Sequence, residues 1–125
     1  MGWQRLQESF LEIRAEGRVG LVPYLTVGFP ALSATVELVQ ALEDAGADTV
    51  ELGVPFSDPL ADGATIQQAS FQALNHGVTL SHCFEVCSKL RQRGVRVPLV
   101  LMGYYNPLLA YGLEEVARDG SESGV

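Results

Sequence analysis

Positive charge is scarce in this chain: eight lysines and arginines stand against fifteen acids, a formal net charge of -7. A phosphate backbone needs a basic surface, so this balance argues against nucleic-acid binding. No uninterrupted apolar run approaches the roughly eighteen residues of a membrane span. The opening MGWQRLQESF lacks the apolar core of a secretory signal. Leu6 stands where the myristoylation pattern needs Ser or Thr. A cytoplasmic or plastid-like compartment, with no membrane association, is the expectation. Cysteine is nearly absent. Cys83 and Cys87 sit four apart with His82 adjacent, a spacing that matches no common zinc pattern, and buried thiols without metal are expected. No GxGxxG follows the first apolar segment, where Gly28-Phe29-Pro30 stands instead, which counts against a doubly wound nucleotide-binding domain. There is no internal repeat, low-complexity tract or linker.

What is present is a globular composition, 47% apolar and 18% charged over 125 residues, expected to form one domain over 1–125. Trp3, Leu6, Phe10 and Ile13 recur at helical spacing over Gly2 to Glu16, with Gly17 as the stop; the stripe predicts packing. Leu21 to Gly28 is β-rich, although Pro23 is acceptable only near the start of a strand. Ser33 is a candidate cap for a helix that buries Val36, Val39, Leu42 and Ala45, turns Glu37 and Glu43 to water, and ends at Gly46. Thr49 to Val54 follows as a strand. Ile66, Ala69, Ala73 and Leu74 then predict a helix ending at Gly77. Ser81 starts another that carries Phe84, Cys87 and Leu90 inward, with Arg91 and Arg93 as exposed charges near its end. Leu99 to Gly103 reads as a third strand, with Val100, Met102 and Tyr104 on one face if the alternation holds. A helix begins over Tyr111 to Asp119 and is weakened by Gly120 and Ser121. Strands alternating with helices predict parallel β-α-β units.

Within this frame the stretch Glu51 to Gly63, ELGVPFSDPLADG, is unusual. Alternation puts Val50, Leu52 and Val54 on one strand face and Thr49, Glu51 and Gly53 on the other. Parallel sheets are covered on both faces or close into barrels, so Glu51 should be enclosed, and an enclosed carboxylate is paired or inclined to hold a proton. The turn-rich loop after it, Asp58-Pro59 and Asp62-Gly63, leaves the carboxyl end of the strand, where α/β folds keep their active sites. Asp62 is a second acid candidate, or simply a turn residue.

This stretch, continued by Thr65, Ile66 and Gln67, resembles the signature of the tryptophan synthase alpha chain family, as do LVPYLTVGFP at Leu21 to Pro30 and LMGYYNP at Leu101 to Pro107. Ala64 departs from the family's usual proline. The resemblance implies an α/β fold, the N-terminal half of a (β/α)₈ TIM barrel whose first helix closes the bottom. It also implies retro-aldol cleavage of indole-3-glycerol phosphate to indole and glyceraldehyde 3-phosphate in tryptophan biosynthesis. Glu51 matches the acid/base and Asp62 the carboxylate facing the indole N–H. Tyr24, Met102 and Tyr104 match the substrate pocket, and Asp58, Pro59 and a loop residue, Asn106, match positions facing the beta chain in an α₂β₂ heterotetramer. No metal or cofactor is implied for this chain; pyridoxal phosphate belongs to the beta chain. Because such a barrel needs about 250 residues and eight strands, three strands lead to the expectation of a truncated half with two open sheet edges. It should have very weak activity at most, and the alternative is an inactive fragment that keeps a partner-binding or self-association surface.

Overall fold

The computed structural model describes residues 2–125; Met1, which the single-domain expectation includes, lies outside the described residues. The first helix, α1 (Gly2–Glu16), spans the expected residues, and the chain leaves it through Gly17 at φ 64°. Its apolar stripe is not packed as expected. Only Ile13 is buried, while Trp3 and Phe10 remain 63% and 50% exposed. A polar cleft of about 770 Å³, lined by Arg5, Glu8, Glu12, Asp48, Arg91 and Arg96 among others, separates part of this helix from the strands above it.

Asp48 is the tie across that cleft. Its carboxylate accepts from both terminal nitrogens of Arg18 at 2.8 and 2.6 Å and from the Leu21 amide at 2.8 Å. Its carbonyl accepts from the Ser9 hydroxyl at 2.8 Å. One residue thus joins α1, the entry to the first strand and the start of the second. Hydrogen bonding from Arg18, then from the Leu21 amide, lowers the Asp48 carboxyl to about 2.

The first strand, β1 (Tyr24–Thr26), is shorter than the β-rich stretch around it. Pro23 has no N–H to give a ladder, but its carbonyl accepts from the Glu51 amide at 2.9 Å, so pairing begins there. Gly28, at φ 88°, turns the chain and donates its N–H to the Thr35 hydroxyl at 2.9 Å. A Cβ at position 28 would lie 2.5 Å from the Val78 side chain, so both conformation and space require glycine.

Two more strands, β2 (Val50–Gly53) and β3 (Leu99–Met102), complete a parallel sheet in the order β1-β2-β3. The helices between them are α2 (Leu32–Asp44), α3 (Ala64–Asn75) and α4 (Leu80–Gln92). Val50, Leu52 and Leu99 join Val39, Cys83, Cys87 and Leu90 in one core. Leu52, Leu90, Val39 and Val50 are wholly inaccessible, and each such side chain contributes about 1.5–3 kcal/mol relative to exposure. The outer edges of β1 and β3 have no strand partner among the described residues.

Several local expectations are corrected. Ser33 lies inside α2, whose N-cap is Ala31 without a side-chain bond. Thr79, not Ser81, caps α4, through a box in which the Thr79 amide donates to His82 Nδ1 at 3.1 Å. Glu43 does not simply face water: its Oε1 accepts from the amides of Arg96 and Val97 at 2.6 and 2.7 Å, fixing the approach to β3. Ala45, expected in the core, is exposed. Arg91 is half-buried rather than an exposed charge, and it donates to the carbonyls of Val95, Val97 and Gly124 at 2.8–3.1 Å. After β3 the chain forms α5 (Tyr105–Tyr111), breaks at Gly112 with φ 107°, and resumes as α6 (Leu113–Ser123). Gly120 does not end that helix. It is buried inside α6, facing Phe84 of α4, where an added Cβ would meet Phe84 only at an ordinary contact distance of 3.6 Å.

Candidate active site

The sheet register builds the site from transverse rows. Tyr24 pairs with Glu51 and Glu51 with Val100; one row on, Thr26 pairs with Gly53 and Gly53 with Met102. Paired residues in a parallel sheet project to the same side, so these six residues line the face opposite the Leu52 core. Glu51 therefore stands in the middle strand with Tyr24 on one flank and Val100 on the other. It is half-buried. The fully enclosed, dry setting expected from the sequence is not present, because three strands make an open trough.

Gly53 makes room for Tyr24. A Cβ there would fall 1.9 Å from the Tyr24 hydroxyl oxygen, so the phenol leans along the sheet over the glycine. The Thr26 hydroxyl lies 3.4 Å from it. Burial raises the Tyr24 hydroxyl above its ordinary value, and the negative charges of Asp62 and Glu51 add to the effect. The phenol is thus held neutral, in the electrostatic field of both candidate carboxylates.

The loop that carries Asp62 is held from several sides. Phe56 packs on Tyr104 with ring centroids 5.1 Å apart. The Ala61 amide donates to the Tyr104 hydroxyl at 2.9 Å. Gln67, in the first turns of α3, donates through Nε2 to the carbonyls of Asp62 at 2.9 Å and Pro59 at 3.3 Å. Within the loop the Ser57 hydroxyl donates to Asp58 Oδ2 at 2.7 Å, and the Asp62 amide to the Pro59 carbonyl at 3.2 Å. Asp62 is half-buried, while Asp58 and Leu60 are exposed at the tip. Gly63 is the N-cap of α3 and Ala64 its first residue, a position where proline fits well.

The structure brings Glu51, Tyr24 and Asp62 to one end of the sheet. Met102 shares the face but is 46% exposed, since the strand beside it is an edge. The expected alternation through Tyr104 stops at Met102. Tyr104 becomes the N-cap of α5 and turns its hydroxyl to the Asp62 loop. Asn106 lies exposed on α5 rather than in a loop. Gln67 is a site residue that the sequence pattern does not single out; the signal that could find it is a long amide side chain one turn into a helix, directly after a turn-rich loop. Away from the site, burial pushes the thiols of Cys83 and Cys87 up to about 12, which keeps them unreactive. Among the described residues no group of three His, Cys, Asp or Glu side chains is placed to hold a metal ion, and no helix is long and apolar enough to cross a membrane.

Comparison with known proteins decides the family. A family model described as tryptophan synthase alpha chain matches residues 10–125. The chain belongs to the tryptophan synthase alpha chain family. It is 59% identical over 120 residues to the tryptophan synthase alpha chain of Roseiflexus sp. (strain RS-1), covering 96% of this chain and 46% of that protein. To the alpha chain of Chloroflexus aurantiacus it is 60% identical over 120 residues, covering 96% and 45%. The crystal structure of tryptophan synthase subunit alpha from Legionella pneumophila superposes with a TM-score of 0.94 at 36% identity, covering 97% of this chain and 46% of that one. This tryptophan synthase alpha family chain thus spans about half the length of the relatives it matches. Its three-stranded parallel sheet with covering helices is the N-terminal half of a (β/α)₈ TIM barrel.

Proposed function

We propose that these residues supply the acid/base half of an active site that cleaves indole-3-glycerol phosphate to indole and glyceraldehyde 3-phosphate, a carbon-carbon lyase reaction of tryptophan biosynthesis. The observation that carries this reading is the register row Tyr24, Glu51, Val100, which puts one carboxylate in the middle of an otherwise uncharged sheet face, beside a tyrosine that also feels the charge of Asp62. Cleavage begins when a proton is delivered to C3 of the indole, giving an indoleninium. A base then takes the proton of the side-chain hydroxyl as the carbon-carbon bond breaks. Glu51 acts as donor and then as acceptor, a contribution of about 10² to 10⁴ in rate. Asp62, at the rim, stabilises the positive charge that develops on the indole N–H. The neutral phenol of Tyr24 and the side chain of Met102 border the ring, and Tyr104 shapes the pocket from the loop side. The reaction as written needs no metal or organic cofactor from this chain. The loop tip at Asp58 and Pro59, with Asn106 on α5, faces a beta chain that carries pyridoxal phosphate and receives the indole in an α₂β₂ assembly.

A second reading is favoured by the share of its relatives that the chain spans, 46% for the Roseiflexus protein. In it a three-stranded half keeps its site residues without turnover and serves only as a partner-binding or self-associating segment. Indole release from indole-3-glycerol phosphate, measured for the 125-residue chain with and without beta chain and for the same residues joined to the second half of the Roseiflexus barrel, separates the two. Release by the joined protein and not by the chain alone supports the site with a missing half; no release from either overturns the enzymatic reading.

A further inference from the structure

The charge of Asp62 is useful only if its carboxylate holds one position above the sheet, yet Asp62 lies in a loop of seven residues between Phe56 and the start of α3. The backbone on either side of it is gripped by two side chains from separate elements. On the N-terminal side the Ala61 amide donates to the Tyr104 hydroxyl at 2.9 Å. On the C-terminal side the carbonyl of Asp62 itself accepts from Gln67 Nε2 at 2.9 Å, and the same nitrogen reaches the Pro59 carbonyl at 3.3 Å. Phe56 stacking on Tyr104 closes the base of the loop.

We infer that Gln67 is a positioning residue for Asp62, with Tyr104 as its counterpart on the other side of the same peptide segment. Gln67 bridges two turns of the loop with one amide nitrogen and ties both to a rigid helix. Its exposed side chain adds nothing to the core. A bidentate brace of this kind matters to a reaction through geometry, and a displacement of about 1 Å at a reacting group can cost on the order of 10²-fold in rate. This inference rests on the catalytic reading of Asp62 given above.

The test uses the 125 residues joined to the second half of the Roseiflexus barrel, as above, and in it the variants Gln67→Met, which keeps the length and removes the donor, Gln67→Glu, which sets a carboxylate against two carbonyls, and Asp62→Ala. Each is measured for kcat and KM of indole release and, without substrate, for hydrogen exchange of the Ala61 amide. Expected for both Gln67 variants are unchanged thermal midpoints, a fall in kcat of about tenfold with KM within about twofold, and exchange at Ala61 faster by roughly three- to tenfold, as the loop opens more readily without the Gln67 bonds while the Ala61–Tyr104 bond is kept. In the Asp62→Ala background the Gln67 substitutions should cost nothing further. If Gln67→Met leaves kcat and Ala61 exchange at wild-type values, or if its effect on kcat persists in full without Asp62, the positioning role is wrong. If instead Asp62→Ala keeps wild-type kcat, the catalytic reading of Asp62 fails, whereas the exchange result still reports whether Gln67 braces the loop.

Discussion

Replacing Asp48 by Asn removes a charge and keeps the shape of the residue that joins α1, the entry to β1 and the start of β2. The wild-type carboxyl is lowered from its ordinary value near 3.8 to about 2 by hydrogen bonds from Arg18 and the Leu21 amide. At 1.36 kcal/mol per pH unit that difference caps the linked stabilisation at about 2.5 kcal/mol. The cap is not reached. The Asp48 side chain is 10% exposed, but the guanidinium facing it is 42% exposed, and water screens such a pair to about 1 kcal/mol. The sign follows from the direction of the shift: a carboxyl with a lowered folded-state value stabilises the fold above its unfolded value and loses that contribution as pH falls through the folded one. Urea unfolding of the wild type and Asp48→Asn should therefore differ by about 1 kcal/mol at pH 7 and at pH 5. The difference should shrink below pH 4 and vanish near pH 2. A difference that stays constant down to the lowest pH at which both proteins fold, or none at pH 7, would refute the reasoning.

Glu43→Ala should lower stability by about 1.5–3 kcal/mol, because two backbone amides lose a charged acceptor; thermal unfolding checks this, and Glu43→Gln should recover part of the loss. Gly53→Ala should displace the Tyr24 ring, since the new methyl would occupy the place of its hydroxyl. A reduced rate of indole release with a thermal midpoint near wild type is the expected pair of results. Asp62→Asn should lower kcat by about 10² to 10³, the usual cost of removing one group that stabilises a transition-state charge, with little change in KM. An effect confined to KM would show that Asp62 only binds substrate.

Much of the fold was legible because the strands and helices alternate and each helix is punctuated by glycine. Gly17, Gly46, Gly77 and Gly94 all take positive φ where the helices stop. The inward set of α4 and the pairing of Val50 and Leu52 with the core followed from periodicity alone. Capping was less legible, since Ser33 and Ser81 have the right chemistry at the wrong place: Gly28 uses the Thr35 hydroxyl, and Thr79 finds His82 at the third helical position. Position in sequence cannot show which carbonyls a long side chain will reach. For that reason pattern alone assigns Arg91, Glu43 and Gln67 to exposed positions or to no role, although each bridges backbone groups of another element. At the site, Glu51 and Asp62 stood out by strand alternation and by turn chemistry. The openness around Glu51 did not, because enclosure depends on how many strands complete the sheet and not on the strand that holds the residue.

The proposed cleavage depends on the carboxyl of Glu51 as the group that gives and then takes the proton. Its most direct test is Glu51→Gln in the protein joined to the second half of the Roseiflexus barrel, with indole release measured at saturating indole-3-glycerol phosphate and circular dichroism used to confirm the fold. The near-isosteric amide should fold normally, bind substrate with a KM within about twofold of wild type, and turn over at least about 10²-fold more slowly. Turnover within about threefold of wild type would contradict the account, since an amide cannot exchange the proton that the mechanism requires.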